Sequence, residues 1–245
     1  MDDKLQQIDT LLGELNQYRA NENYRITEAL EIEYTYDSNR IEGNTLTLHE
    51  TDMVVNKGIT IAGKGLREHL EAINHKEAID FIKDVAQKKE PISERVLLDI
   101  HAIVLHSIDK DNAGKYRRVP VIISGSKHIP PQPYLLQPKM DELFQWYEAN
   151  KDSMHPVVLA AQMHEKLVSV HPFIDGNGRT ARLVMNLILM QHGYPIANIK
   201  GDNETRRRYY ETLEEASSGD NSAFLEFIED VVIQSLTYYL KIIRG

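Results

Sequence analysis

An all-α fold is predicted by three features of the sequence. Apolar residues recur at three- and four-residue steps along most of the chain, the period of an amphipathic helix. Capping residues punctuate those stripes where helices would begin and end. Only residues 115–133 carry β-branched residues around a Gly-Ser turn with closing prolines, as a strand pair would.

Taken in order, Leu5, Ile8, Leu11, Leu12 and Leu15 form the first stripe. A second helix is predicted over 22–41, with Ile26, Leu30, Ile32 and Tyr34 among its apolar positions, and Gly43 is placed to end it in left-handed geometry. Thr47 with Glu50 three residues later reads as a capping box, opening a short helix through Val55. Helices over 66–87 and 93–106 follow, the latter with Ser93 as N-cap after Pro91. The text KYRRVPVIISGSKHIPPQP then predicts one β-hairpin over 115–133. Helical spacing resumes over 137–150, 156–170, 178–191, 204–216 and 222–243. No linker separates two domains. Residues 1–60 read as N-terminal helices and 61–245 as a core with flanking helices, together one unit.

The 245 residues hold 28 Lys and Arg against 37 Asp and Glu, a net charge of −9, and no cysteine. Missing cysteine excludes disulfide frameworks, thiolate metal sites and cysteine nucleophiles. The acidic balance argues against nucleic acid as a partner, since phosphate binding rests on a basic surface. The N-terminal text MDDKLQQIDTLLGELNQYR lacks the basic and apolar regions of a secretion signal. No apolar run approaches the roughly 20 residues of a membrane span. A cytoplasmic protein without membrane attachment is expected.

One stretch carries chemistry: HPFIDGNGRTAR, from His171 to Arg182. Asp175, Gly176, Asn177 and Gly178 form a tight turn leading into a helix, where free N–H groups and the positive helix end make an anion site. Arg179 and Arg182 lie three apart on one helical face, so both guanidiniums can reach one polyphosphate. Asp175 supplies a hard oxygen suited to Mg²⁺ bridging phosphates. His171 has the ordinary pKa of a general base at neutral pH. Phosphate, metal and base together point to phosphoryl or nucleotidyl transfer.

This string resembles the signature of the Fic family, HPFx[DE]GNGRxxR, matching at His171, Pro172, Phe173, Asp175, Gly176, Asn177, Gly178, Arg179 and Arg182. The resemblance implies a Fic-type helical core and a protein adenylyltransferase moving AMP from ATP to a Ser, Thr or Tyr hydroxyl of a target protein. It implies that His171 deprotonates that hydroxyl and that Asp175 holds Mg²⁺ against the phosphates. Asn177, with the backbone at Gly176 and Gly178, would form an anion hole. Arg179 and Arg182 would hold the β- and γ-phosphates, with Thr180 counted among the nucleotide-binding positions. A related branch with Lys at the position of Gly178 transfers the terminal phosphate, so Gly178 favours AMP transfer.

Ser38, Glu42 and Gly43 resemble the family's inhibitory motif [ST]xxxE[GN], which lies upstream of the core in its second class. Ser38 and Glu42 are i, i+4 partners on one helical face. The resemblance implies that Glu42 pairs with Arg182 and restrains transfer, and that the same Glu can orient water to remove AMP from a modified target. The predicted hairpin corresponds to the family's flap, on which a target docks by strand addition, with Gly125, Ser126, Lys127 and His128 at its tip. Tyr209 and Tyr210 fall where the family places adenosine contacts, and Ser217 stands where several relatives carry Asn. Relatives of this class often form homodimers.

Blander readings apply elsewhere. His164 lies seven residues before His171, not the i, i+4 spacing of a metal pair, so it reads as a packing residue. Arg206, Arg207 and Arg208 sit among acids and read as a solvated helix face. Two alternatives stand beside AMP transfer: AMP removal using Glu42, and a nucleotide-gated regulatory binding protein.

Overall fold

The computed structural model describes residues 3–21 and 23–244. Its described residues form α1 (Asp3–Tyr18), α2 (Tyr24–Ile41), α3 (Leu48–Lys57), α4 (Leu66–Gln87), α5 (Glu94–Val104), α6 (Leu136–Asn150), α7 (Pro156–Val170), α8 (Asn177–Gln191), α9 (Asn203–Ser217) and α10 (Ser222–Arg244). The all-α prediction holds. Glu22, where the second helix was expected to begin, lies outside the described residues.

The caps act as the sequence predicts. Thr47 Oγ1 accepts from the Glu50 N–H at 3.2 Å while the Glu50 carboxylate accepts from the Thr47 N–H at 2.7 Å, closing the box. Ser93 Oγ accepts from Val96 at 3.4 Å to open α5, and Pro156 occupies the first turn of α7, where a missing N–H costs nothing. Asp202, not singled out in the sequence, caps α9 by accepting from Glu204 and Thr205, each at 3.0 Å.

Helix α8 is the axis of the molecule. Its face from Leu183 to Leu189 is buried throughout, and α2, α4, α5 and α7 all pack against it. Helix α1 lies along α10, burying Ile8 and Leu15 in the same core, so the N-terminal helices are continuous with the rest. No helix among the described residues is long and apolar enough to cross a membrane.

The expected hairpin over 115–133 is corrected. No strand occurs among the described residues. The tip does turn, with Ser126 N–H donating to Ile123 O at 3.1 Å and Gly125 at φ +81°. The limbs, however, contain Pro120, Pro130, Pro131 and Pro133, which have no N–H to donate and so remove rungs from any ladder. Arg117 replaces those rungs. Its guanidinium donates to Val119 O on one limb at 3.1 Å and to Pro131 O on the other at 2.6 Å.

Candidate active site

The site forms where α7 ends and α8 begins. His171 caps α7 in the left-handed region, φ +48°, an uncommon conformation for a residue other than glycine. Its N–H donates to Leu167 O at 3.0 Å, and its ring Nδ1 lies 3.3 Å from Val168 O. A carbonyl partner makes Nδ1 the donor and leaves Nε2 as the basic atom. Burial lowers the His171 pKa, Val168 O and Glu42 acting against that and Arg117 and His128 with it, so the ring is neutral at pH 7.

Two interactions fix the loop. Asn177 clasps Phe173 across the turn, accepting from its N–H at 3.0 Å and donating to its carbonyl at 2.9 Å. Phe173 stacks on His101 with ring centroids 3.6 Å apart and planes 9° from parallel. His101 Nδ1 accepts from the Gly114 N–H and Nε2 lies 3.0 Å from Asp175 O, which fixes the tautomer as Nε2–H. Burial pushes its pKa down to about 4. The Asn177 side chain is therefore committed to folding the loop, and what it offers an anion is its backbone N–H.

Gly176 sits at φ +76°, and a Cβ there would lie 3.2 Å from Val104 Cγ1. Position 176 caps α8 without a side chain. The first-turn N–H groups of α8 have no helix carbonyl to bond, so they face the loop as donors with the positive end of the helix dipole. Thr180 is fully buried one turn on, its N–H donating to Gly176 O at 2.9 Å and its hydroxyl closed off from solvent with no hydrogen-bond partner among the described residues.

Charged residues gather on both sides. Asp175 Oδ1 accepts from the Gly176 N–H at 2.6 Å and lies 3.4 Å from Arg179 Nη2, while Oδ2 is paired with Arg67 of α4. Burial alone would raise the Asp175 carboxyl, but Arg179, the Gly176 N–H and Arg67 together hold it below the ordinary range. Arg179 is 2% exposed and also meets Glu71 at 3.6 Å. Its Nε and Nη1 are closed off from solvent and have no hydrogen-bond partner among the described residues, Nη1 being the atom that faces Glu71. An ionised carboxylate beside a helix N-terminus fits Mg²⁺, which takes one or two protein carboxylates and completes its shell with water and phosphate.

Arg182 turns the other way. It is 1% exposed, and its Nε donates to Ser38 Oγ at 3.0 Å and its Nη2 to Ser38 O at 2.9 Å and Glu42 Oε1 at 2.7 Å. Burial alone would lower the Arg182 pKa, and Glu42 with Tyr209 more than offsets this and raises it. The two arginines share a helical face, yet one guanidinium ends against α4 and the other against α2. Gly178 makes room for the pair: a Cβ at that position would fall inside contact distance of Glu42 Oε1 and 3.0 Å from Arg182 Nη1.

Helix α2 is fastened directly beside Ser38. Asp37 is buried and accepts from the Gly201 N–H at 2.9 Å, from Asn198 Nδ2 at 2.7 Å and from Lys200 Nζ at 3.2 Å. A side chain at Gly201 would lie 2.8 Å from Asp37 O, so only glycine allows this approach.

The flap tip is latched to two helices. Ser126 Oγ–H and the Lys127 N–H, the latter at 2.8 Å, both donate to Glu214 of α9, and His128 Nε2 lies 2.7 Å from Ser169 O on α7. Tyr209 is 1% exposed, its hydroxyl 3.0 Å from His164 Nε2 and 3.4 Å from Arg182 Nη1, so it backs the arginine from within the core. His164 is a buried packing residue, as the sequence suggests, stacked on Phe224. Tyr210 stays 42% exposed and donates to Ile41 O at 3.1 Å, while Ser217 donates to Glu214 O at 2.7 Å.

His101, Arg117, Arg67, Glu71 and Glu214 were not singled out in the sequence. His101 sits within an ordinary apolar helix stripe and Arg117 within the basic run KYRR. Neither carries a motif, because their partners are main-chain groups far along the chain.

The site thus defines a class: helical proteins with an uncapped helix N-terminus between an ionised carboxylate and paired arginines, next to a neutral imidazole. Comparison with known proteins agrees. Residues 91–189 match the Fic/DOC family. A protein adenylyltransferase Fic from Nematostella vectensis is 38% identical over 210 residues, covering 85% of this chain and 48% of the relative. The structure of Fic-1 (aa134–508) from C. elegans superposes with a TM-score of 0.87 at 30% identity, over 98% of this chain and 72% of that one. A Fic domain containing signaling protein from Bacteroides thetaiotaomicron superposes at 0.88 with 28% identity, over 99% of this chain and 97% of that one. The chain belongs to the Fic/DOC family. It spans about half the length, or less, of the curated relatives it matches.

Proposed function

We propose that this chain is a protein adenylyltransferase that moves AMP from ATP to a Ser, Thr or Tyr hydroxyl of a target protein and is restrained by Glu42. The observation that carries the reading is the neutral His171, its Nε2 free as acceptor, next to the uncapped N-terminus of α8. In the reaction the target hydroxyl loses its proton to His171 Nε2 as its oxygen bonds to the α-phosphorus. The bond from that phosphorus to the bridging oxygen breaks, and pyrophosphate leaves. Backbone N–H groups of the first turn of α8 offset charge on the phosphate oxygens, and the buried Arg179 guanidinium, anchored on Asp175 and Glu71, adds positive charge behind them. When bound, Mg²⁺ would be held by Asp175 and would offset phosphate charge.

Arg182 is withheld from this work while Glu42 and Ser38 occupy its donors. Such a chain has a low basal rate, and Glu42→Gly raises it. The target docks along the flap, where Ile122 and Ile129 are 91% and 80% exposed and can receive apolar side chains. Removal of AMP is the second reading, favoured by the Glu42 carboxylate lying against Gly178, from where it can orient a water toward a bound phosphate. Intact-mass measurement after incubation with Mg·ATP tests the proposal. Glu42→Gly should gain the mass of AMP and Glu42→Gly/His171→Ala should not. A phosphate-sized gain would overturn the assignment to AMP.

A further inference from the structure

Arg117 is 2% exposed, whereas its neighbour Arg118 lies on the surface. No carboxylate among the described residues comes within ion-pair distance of it, and its hydrogen-bond acceptors are all main-chain carbonyls. Nε donates to His171 O at 2.8 Å, Nη1 to Val119 O at 3.1 Å and Nη2 to Pro131 O at 2.6 Å. Its own backbone N–H donates to Pro172 O at 2.9 Å. The four acceptors fall into two groups. His171 and Pro172 belong to the catalytic loop, and Val119 and Pro131 belong to the opposite limbs of a flap that has no strand ladder of its own.

We propose that Arg117 is a positioning residue that joins both limbs of the flap to the catalytic loop, and so sets where a hydroxyl carried on the flap meets Nε2 of His171. The proposal deepens the adenylyltransferase reading and rests on it for the word catalytic. A planar guanidinium suits these three carbonyls because its donors are spread over three nitrogens in a rigid fork, whereas the three donors of an ammonium all leave one atom. Lysine keeps the charge and loses the fork. A buried cation with only dipoles around it also leaves a net positive field near the imidazole. His171 is faced by three charged or titratable groups, Arg117, His128 and Glu42, the first two lowering its pKa and the last raising it.

The test uses the full chain carrying Glu42→Gly, with Arg117→Lys and Arg117→Gln added singly. Two readouts need no turnover: the His171 imidazole titration followed by NMR, and tryptic cleavage after Lys127 at the flap tip. Lys127 is already exposed, and freeing the limbs loosens the backbone on either side of it so that a protease can seat it; both Arg117 variants should therefore be cut about tenfold faster there than the parent, while ATP affinity measured by calorimetry stays within about threefold. Arg117→Gln should move the His171 midpoint to higher pH, because the cation that opposed protonation is gone, and Arg117→Lys should leave it in place. AMP incorporation, read by intact mass, should fall in both variants and its acid limb should shift only in Arg117→Gln. Unchanged cleavage at Lys127 would overturn the proposal, as would a titration that responds alike to both variants. Should the Glu42→Gly parent itself incorporate no AMP, the functional reading fails, while cleavage and titration still decide the role of Arg117 in fixing flap and imidazole.

Discussion

Gly178→Ala probes the restraint on Arg182 without replacing either partner. The new Cβ falls inside contact distance of Glu42 Oε1, while the helix backbone at 178 accepts alanine readily. Restoring an ordinary separation of about 3.5 Å moves the carboxylate back by about 1 Å. That displacement lengthens its 2.7 Å bond to Arg182 Nη2 to about 3.7 Å, outside hydrogen-bond range. Hydrogen bonds between charged groups contribute about 1.5–3 kcal/mol. The Glu42 side chain is 33% exposed, so the low end applies, about 1.5 kcal/mol or roughly tenfold in the equilibrium between restrained and released Arg182.

The assay is AMP incorporation from labelled Mg·ATP by the wild type, Gly178→Ala, Glu42→Gly and the double variant. Alanine at 178 also crowds the phosphate cradle, and that cost is common to both backgrounds. The informative quantity is therefore a ratio of ratios. The effect of Gly178→Ala measured with Glu42 present should exceed its effect with Glu42 absent by about tenfold. Equal effects in the two backgrounds would refute the claim that Glu42 holds Arg182 out of action.

Other expectations follow from the same contacts. Ser38→Ala leaves the buried Arg182 Nε–H without its acceptor, which should lower unfolding free energy by about 1–3 kcal/mol in denaturant titration and raise AMP transfer. Thr47→Ala removes the acceptor in the α3 capping box and should cost about 1 kcal/mol, read the same way. His101 and His164 are held neutral by burial, with folded pKa values of about 4 and about 3. Because the unfolded chain binds those protons from about pH 6.5 downward, each group removes up to about 1.4 kcal/mol of stability per pH unit lost below that point. Urea midpoints between pH 7 and pH 5 should fall accordingly, and less steeply in His164→Gln. The rate of transfer should hold steady from neutral pH down past 6.5, the ordinary value for histidine, since His171 titrates below it.

Local signals made most of the fold legible. The bounds predicted for 66–87 and 156–170 coincide with α4 and α7. The hairpin was misread since β-branched residues suggest a ladder, whereas prolines on both limbs remove the donors that a ladder needs. In the site, residues that contribute a side chain to a contiguous string were readable, and so was the pairing of Glu42 with Arg182 through its resemblance to a known motif. Asn177 was placed in an anion hole, yet its amide is taken by Phe173. Arg117 and His101 escaped because a carbonyl acceptor is the same in every residue, so nothing at position 171 or 175 advertises them as partners.

Asp37 has a consequence for the speed of control. Three donors from residues 198–201 secure the turn of α2 that bears Ser38, and a glycine seat at 201 presses against it. A helix so fastened cannot act as a detachable plug without opening the protein interior. The movable part is then the Glu42 side chain at the last position before the chain leaves α2, and its departure is a change of rotamer. Rotamers of partly exposed side chains exchange in picoseconds to nanoseconds, against microseconds or longer for hinged elements. Under the proposed inhibition by Glu42, the restraint would act as a continuously sampled equilibrium, graded by whatever competes for one guanidinium, rather than as a latch that is either shut or sprung.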